Sequence, residues 1–301
     1  MTTLKERKHK DYLVIDDINI ESFKDDIASM EHPFFALKAG DTKERVYEHN
    51  NNKVILKSNS DGLATVFDKD IWIYIISKLK SINSSEEMIT NTVYFTPYDY
   101  IVKTNRSLGG KGYELLKKSL SRLKGTTIQT NINHQNGSNH ISQFGLIDSW
   151  SMVESESKGN IKNGMVKVVL PDWIVKSALI DNNILKINDD YFRIRKALHR
   201  RFYELARKHC GDKENFIISI DKFRKKTGST KTAVDFRKEI VSIVKSNDLP
   251  DYQFLIDGVN VQIVNKEIID RKLRKASKSG KKDFTIPDEP DTKIPHGFRG
   301  E

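Results

Sequence analysis

The sequence predicts an α+β architecture in which one order of elements, helix, turn, helix and β-hairpin, is used twice in tandem. Three observations carry this expectation. The 301 residues suit about two domains of about 150 residues each. The same alternation of helical and strand patterns recurs about 120 residues further along the chain. The positive charge is also uneven. Residues 1–183 carry 24 basic and 23 acidic side chains, residues 184–275 carry 22 and 13, and residues 276–301 carry 5 of each, so the net +10 falls almost wholly on the second copy.

Composition narrows the class. With 37% hydrophobic and 9% aromatic residues the chain can bury real cores, and the 31% charged fraction excludes an ordinary membrane protein. No run approaches the ~20 apolar residues of a membrane-spanning helix. The basic start MTTLKERKHKDYL is followed by no apolar stretch, so a cytoplasmic protein is expected. A single cysteine, Cys210, allows no internal disulfide, and no Cys/His cluster has the spacing of a zinc site. Neither a metal nor a cofactor is expected.

Residues 1–30 are polar with scattered apolar positions and are expected to form a loose arm or a short helix. The first domain is placed at 31–183. His32-Pro-Phe-Phe-Ala-Leu37 is an apolar anchor, and Arg45–His49 and Lys53–Lys57 are strands around the turn Asn50-Asn51-Asn52. Asp68 starts a helix whose Ile71, Trp72, Ile75, Ile76 and Leu79 share one stripe up to about Ser81. Thr92–Phe95 is a strand, Thr96–Thr104 a short helix opened by Thr-Pro, and Lys111–Leu123 a second helix stopped by Gly125. Thr126–Ile132 and Ile141–Trp150 then form a hairpin around Asn136-Gly137. This layout is that of a winged helix. Val166–Leu170 and Pro171–Leu179, a strand and a helix, connect the halves.

The second domain is placed at 184–275. Asp189–Cys210 is a long amphipathic helix closed by Gly211, Phe216–Ile220 a strand, and Ser219–Lys226 a short helix. Thr227-Gly228-Ser229 is the turn, Thr230–Lys245 the second helix, and Tyr252–Ile256 with Asn260–Asn265 a hairpin around Asp257-Gly258. The tail 276–301 is Lys/Ser/Gly-rich and then Asp/Pro-rich, and is expected to be disordered.

A folded, strongly basic segment is the electrostatic signature of a polyanion binder, because each Lys or Arg placed at a phosphate releases a counterion. Candidate DNA contacts are Lys111, Lys117, Lys118 and Arg122 on the outward face of the Lys111–Leu123 helix, and Lys222, Arg224, Lys225 and Lys226 for phosphates. In the Thr230–Lys245 helix, Thr230, Lys231 and Asp235 are placed to read bases and Lys238 to meet the backbone, with Arg237 snorkelling from the core border to a phosphate. Ordinary solvated helix faces are the competing explanation for each set, and membrane-surface binding competes for the overall charge. Arg193, Lys196, Arg200 and Arg207 are expected only to keep their helix soluble, and His199 and His209 to be structural. No phosphate loop, no nucleophile elbow and no carboxylate pair suggests an enzyme.

Several stretches together resemble the bacterial plasmid replication initiator protein A family, iteron-type initiators with tandem winged-helix domains. They are His32–Lys38, Gly62-Leu-Ala-Thr-Val-Phe-Asp-Lys-Asp70, Gly109-Gly-Lys-Gly-Tyr113, Ser121–Thr126, Asp190-Tyr-Phe-Arg193, Tyr203-Glu-Leu-Ala-Arg-Lys-His-Cys-Gly211 and Leu249-Pro-Asp-Tyr252, in family order. The resemblance implies binding of double-stranded DNA at repeated plasmid-origin sites, origin melting, and recruitment of host replication proteins such as initiator and helicase. It also implies a monomer–dimer equilibrium in which the first winged helix dimerises when the protein represses its own promoter. Two alternatives stay open: a tandem winged-helix transcription regulator without an origin role, and a nicking initiator, whose His-apolar-His metal pair this sequence lacks.

Overall fold

The computed structural model describes residues 20–49, 52–83, 90–107, 110–131, 141–157, 160–179 and 183–279. The Asn136-Gly137 turn and residues 280–301 of the tail lie outside them. The first half comprises β1 (Lys24–Asp26), α1 (Ile27–Glu31), β2 (Arg45–His49), β3 (Asn52–Lys57), α2 (Lys69–Ile82), β4 (Thr92–Phe95), α3 (Pro97–Lys103), α4 (Gly110–Gly125), β5 (Thr127–Thr130), β6 (Ser142–Gly145), β7 (Ser149–Ser157), β8 (Asn160–Val169) and α5 (Asp172–Leu179). The second half comprises β9 (Ile184–Lys186), a 3-10 helix (Asp189–Arg193), α6 (Ala197–His209), β10 (Asn215–Ser219), α7 (Ile220–Thr227), α8 (Ala233–Ser246), β11 (Tyr252–Asp257), β12 (Asn260–Asn265) and α9 (Lys266–Ser279).

Sheet order demonstrates the tandem repeat. In the second unit α6, β10, α7 and α8 lead to a sheet of order β10-β12-β11, and in the first α2, β4, α3 and α4 lead to a sheet of order β4-β8-β7. In both, the strand between the first and second helices pairs with the returning strand of the hairpin that follows the third, which is the winged-helix arrangement. The wing of the first unit is therefore β7–β8, not the hairpin expected from Thr126 to Trp150. That stretch divides between two sheets: β6 pairs β5 in a four-stranded sheet of order β2-β3-β5-β6, whereas Ser149 and Trp150 already belong to β7. The buried Leu146 and Ile147 carry the chain from one sheet to the other. Sequence periodicity sees two strands but not which sheet each joins, because pairing is a long-range property.

The helix expected over Asp189–Cys210 is broken at Ile194–Lys196. Arg200 supplies the reason. Its guanidinium donates to the carbonyls of Ile194 (2.9 Å) and Phe192 (3.2 Å), oxygens that a continuous helix would pair with backbone N–H groups. Helix α8 starts at Ala233 rather than Thr230, because the Thr232 hydroxyl accepts from the Asp235 N–H at 3.1 Å and sets the N-cap there. Residues Lys24–Glu31 form β1 and α1, with Asp25, Asp26 and Ser29 fully buried, so the arm ends before them. Ala276–Ser279 lie in α9, a helix that the tail's composition did not suggest.

The apolar core is continuous through both units, from Phe23 and Trp72 to Phe202, Phe254 and Ile263. Helix α2 is at its centre and is buried on every side from Lys69 to Leu79. Trp72 packs against Trp173 of α5 at 5.7 Å and edge-on to Phe35 at 6.2 Å. In the second unit Phe202 of α6 gathers Phe223, Phe236 and Phe254 at 4.9–5.7 Å.

Candidate nucleic-acid interface

Helix α7 begins at Ser219, whose hydroxyl accepts from the Lys222 N–H, and ends at Gly228, which takes the left-handed conformation with φ 72°. Its cationic run separates into distinct roles. Lys222 is exposed, with no ion-pair partner among the described residues. Lys225 is exposed and 2.9 Å from Asp221, and Arg224 donates to Asp221 (3.1 Å) and to the carbonyl of Lys231 (3.3 Å). Lys226 does not reach outward. It is held by Glu31 of α1, which also takes Lys208 at 2.7 Å and His209 at 2.8 Å. Burial pushes the Glu31 carboxyl up, but His209, Lys208 and Lys226 outweigh it and hold it well below the usual carboxylate range.

The outward face of α8 is internally balanced. Lys238 lies 2.9 Å from Asp235, Asp235 also accepts from the Thr232 hydroxyl at 2.9 Å, and Lys231 reaches Glu239 at 2.7 Å. Thr230 and Lys231 stand exposed just before the helix. The bond from Lys238, then that from Thr232, lowers the Asp235 pKa. Exposed pairs of this kind contribute ~0–1 kcal/mol and exchange readily for a base edge or a phosphate. Arg237 extends from the core border to the exposed wing turn, where its Nη1 donates to the Gly258 carbonyl at 3.0 Å and braces the turn against α8. The sequence could not show this, because it requires knowing where the Asp257-Gly258 turn folds back.

On α4, Lys111 and Lys118 are exposed and Lys117 is half-buried, with Glu114 and the 56% exposed Leu115 between them. Gly112 allows α4 to start close against the preceding turn, since a Cβ there would lie 2.5 Å from the Ser107 carbonyl oxygen. Arg122 belongs to the interior. Its guanidinium grips Asp68 with two bonds of 2.8 and 2.6 Å, and Asp68 is 2% exposed. It therefore anchors α4 to α2.

The junction of the two units is ionic as well as apolar. Lys69 lies 2.7 Å from Asp25 and 3.0 Å from Glu204, and all three are buried. Burial, offset in part by Lys69 and reinforced by Glu204, raises Asp25 to about 7. Asp70 takes Arg106 at 2.5 Å and also Arg200, which is 2% exposed and so is no solubilising charge. Arg201 donates to the carbonyls of Ser29 and Lys226, each at 3.0 Å. Gly228 meets the first unit directly: a Cβ there would lie 2.7 Å from Pro33 and 3.2 Å from the Tyr47 hydroxyl. His199 and His209 stack on Phe202 and Phe216.

Together with Tyr191, which donates to Glu204 at 2.6 Å, and Tyr203, which donates to Asp251 at 2.8 Å, the residues Asp68, Lys69, Asp70, Arg201 and Glu204 build the frame that holds the two units. Among the described residues no group of His, Cys, Asp and Glu could hold a metal ion, and no helix is long and apolar enough to cross a membrane.

Comparison with known proteins agrees with this architecture. The family of replication initiator protein A matches residues 24–254, beginning at the first residue of β1. A curated protein of Wigglesworthia glossinidia brevipalpis named "Putative replication protein" is 49% identical over 249 residues, which are 82% of this chain and 90% of that one. Domains 2 and 3 of RctB, in a selenomethionine crystal structure, superpose with a TM-score of 0.56 at 10% identity, covering 77% of this chain and 95% of that one. A second structure of RctB domains 2–3 gives a TM-score of 0.50, again at 10% identity, over 82% and 99% of the two chains. At that identity the likeness is one of fold. The tandem winged-helix frame, the buried motif residues that hold it and the length of the family match agree: this chain belongs to the replication initiator protein A family.

Proposed function

We propose that the protein initiates plasmid replication by binding repeated double-stranded sequences at a plasmid origin, without chemistry of its own. It then promotes melting of the adjacent duplex and recruits host initiator and helicase. The observation that supports this most is the use of one winged-helix topology twice on one continuous core, each copy leaving the face of its third helix, α4 or α8, open to solvent. Two such helices in one chain suit successive major-groove segments on one side of a duplex. The +9 excess of residues 184–275 places the stronger electrostatic contact on the second unit. Thr230, Lys231 and Asp235 reach bases, while Lys222, Lys225 and Lys238 meet phosphates.

Autorepression and copy control follow from a monomer–dimer equilibrium. Strand β2 is an edge of its four-stranded sheet and carries Val46 at 49% exposure, so a second chain can extend the sheet there. Val46→Lys in the full chain should leave only monomer in sedimentation at micromolar concentration, and an unchanged dimer would refute this interface. Footprinting across a cognate plasmid tests the function itself: protection of several adjacent direct repeats supports an initiator, and protection of a lone palindrome supports a transcription regulator instead. Cleavage of that DNA in the presence of Mg²⁺ or Mn²⁺ would contradict a non-enzymatic role.

A further inference from the structure

We infer a phosphate-binding site at the N-terminal end of α6, where Arg195, Lys196 and the first N–H groups of the helix form a second wall for the DNA duplex. This rests on the DNA-binding reading above and adds residues that neither composition nor family resemblance marks. A cleft of about 460 Å³ lies between the Ile194–Lys196 connection and the end of α8, lined by the cations Arg193, Arg195, Lys196 and Lys266, by His199, and by two carboxylates, Asp190 and Asp248. Lys196 occupies the N-cap of α6 and provides no side-chain cap, and no acidic residue sits in the first turn. The N–H groups of Ala197, Leu198 and His199 therefore have no acceptor among the described residues; of the two carboxylates in the lining, Asp190 pairs with Arg193 and Asp248 accepts from the Ser246 hydroxyl at 3.0 Å, so cations outnumber anions at the positive end of the helix dipole. His199 forms part of the wall at 3% exposure, and its Nε2 has no hydrogen-bond partner among the described residues.

The cations differ in availability. Lys266 is occupied by the carbonyls of Asn247 (3.0 Å) and Leu249 (2.8 Å), and Arg193 pairs with Asp190 at 3.0 Å. Arg195 is exposed with no partner among the described residues, and Lys196 makes only a long contact of 3.4 Å to Ser242. That contact locates the site relative to DNA. Ser242 follows Asp235 and Lys238 on the outward stripe of α8, two turns and about 11 Å beyond Asp235. Arg224, Lys225 and Lys222 stand at the other end, where Arg224 bonds to Lys231 just before the helix. The helix alone runs about 13 Å from Ala233 to Ser242 and Lys231 lies beyond its start, so cations at the two ends of the stripe are far enough apart to flank the major groove, about 12 Å wide. With α8 in the groove, α7 meets one phosphate wall and the α6 terminus the other.

The test uses the full chain carrying Arg195→Ala with Lys196→Ala, binding to random-sequence duplex DNA over a series of salt concentrations. A control removes two cations from α9, Arg271→Ala with Lys275→Ala. The first variant should flatten the slope of log K against log salt by about 1.8, at about 0.9 for each lost phosphate contact. It should also weaken selected and random duplexes by the same factor, and the control should keep the wild-type slope. Both substituted positions are exposed, so the urea midpoint should not move. Equal flattening by both variants would mean that net charge alone acts and would overturn the site, as would an unchanged slope in a wild type that binds DNA. A wild type that binds no duplex at any salt would refute the DNA-binding reading, and this site with it.

Discussion

Glu31→Gln should destabilise the protein by about 2–4 kcal/mol at pH 7 and loosen the second unit from the first. The carboxylate is 18% exposed and receives two cations, Lys208 and Lys226, and the His209 imidazole, whose side chains are only 25%, 16% and 17% exposed. Hydrogen bonds to charged groups contribute about 1.5–3 kcal/mol each, but these three share one acceptor and each cation recovers some water when released, so the sum falls well short of three full bonds. The pH dependence follows from the lowered pKa. A depressed carboxyl stabilises fully above its unfolded value of 4.5, and the contribution is lost as pH falls below it. The difference between wild type and variant should therefore be flat from pH 5.5 to 7 and then shrink by up to about 1.4 kcal/mol per pH unit below about 4. Urea denaturation at fixed pH values measures it. With a slope of about 2–3 kcal/mol per molar urea, the midpoint at pH 7 should fall by about 1–2 M. A difference below 1 kcal/mol, or one that stays constant down to pH 3, would refute the assignment of Glu31 as an ionic hub.

Three further outcomes are expected. Arg122→Ala should lower stability by about 2–4 kcal/mol, since it leaves the buried Asp68 without its cation, holding only the bonds from the Thr65 N–H and hydroxyl. It should leave the salt dependence of DNA binding by the folded fraction unchanged; a flattened slope would restore Arg122 to the interface. Gly228→Ala should reduce stability by at least about 1–2 kcal/mol, as the left-handed backbone is penalised and the new Cβ meets Pro33 at 2.7 Å, and an unchanged thermal midpoint would contradict that contact. Lys231→Ala should weaken specific binding by about 1–3 kcal/mol with altered base preference, whereas Lys225→Ala should weaken all sequences alike. Equal effects of the two on specific and random DNA, in competition binding, would show that they share one role.

Local pattern was sufficient for a good part of this molecule. The stripe of Ile71, Trp72, Ile75, Ile76 and Leu79 marks α2, Thr96 and Ser219 mark the starts of α3 and α7, and Asp257-Gly258 marks the second wing, because each depends on residues within one or two turns of one another. The basic excess of residues 184–275 is likewise a property of composition. Tertiary structure alone decided what depends on partners far along the chain. It assigned the first wing to β7–β8, since strand pairing is set by sheet neighbours and not by period. It turned Arg122, Lys226 and Arg200 inward, where Asp68, Glu31 and Asp70 receive them. A cationic side chain looks the same in sequence whether it faces water or a buried carboxylate. The difference is the position of its acceptor, 54 residues away for Arg122 and 195 for Lys226, and only the packed core brings those groups together.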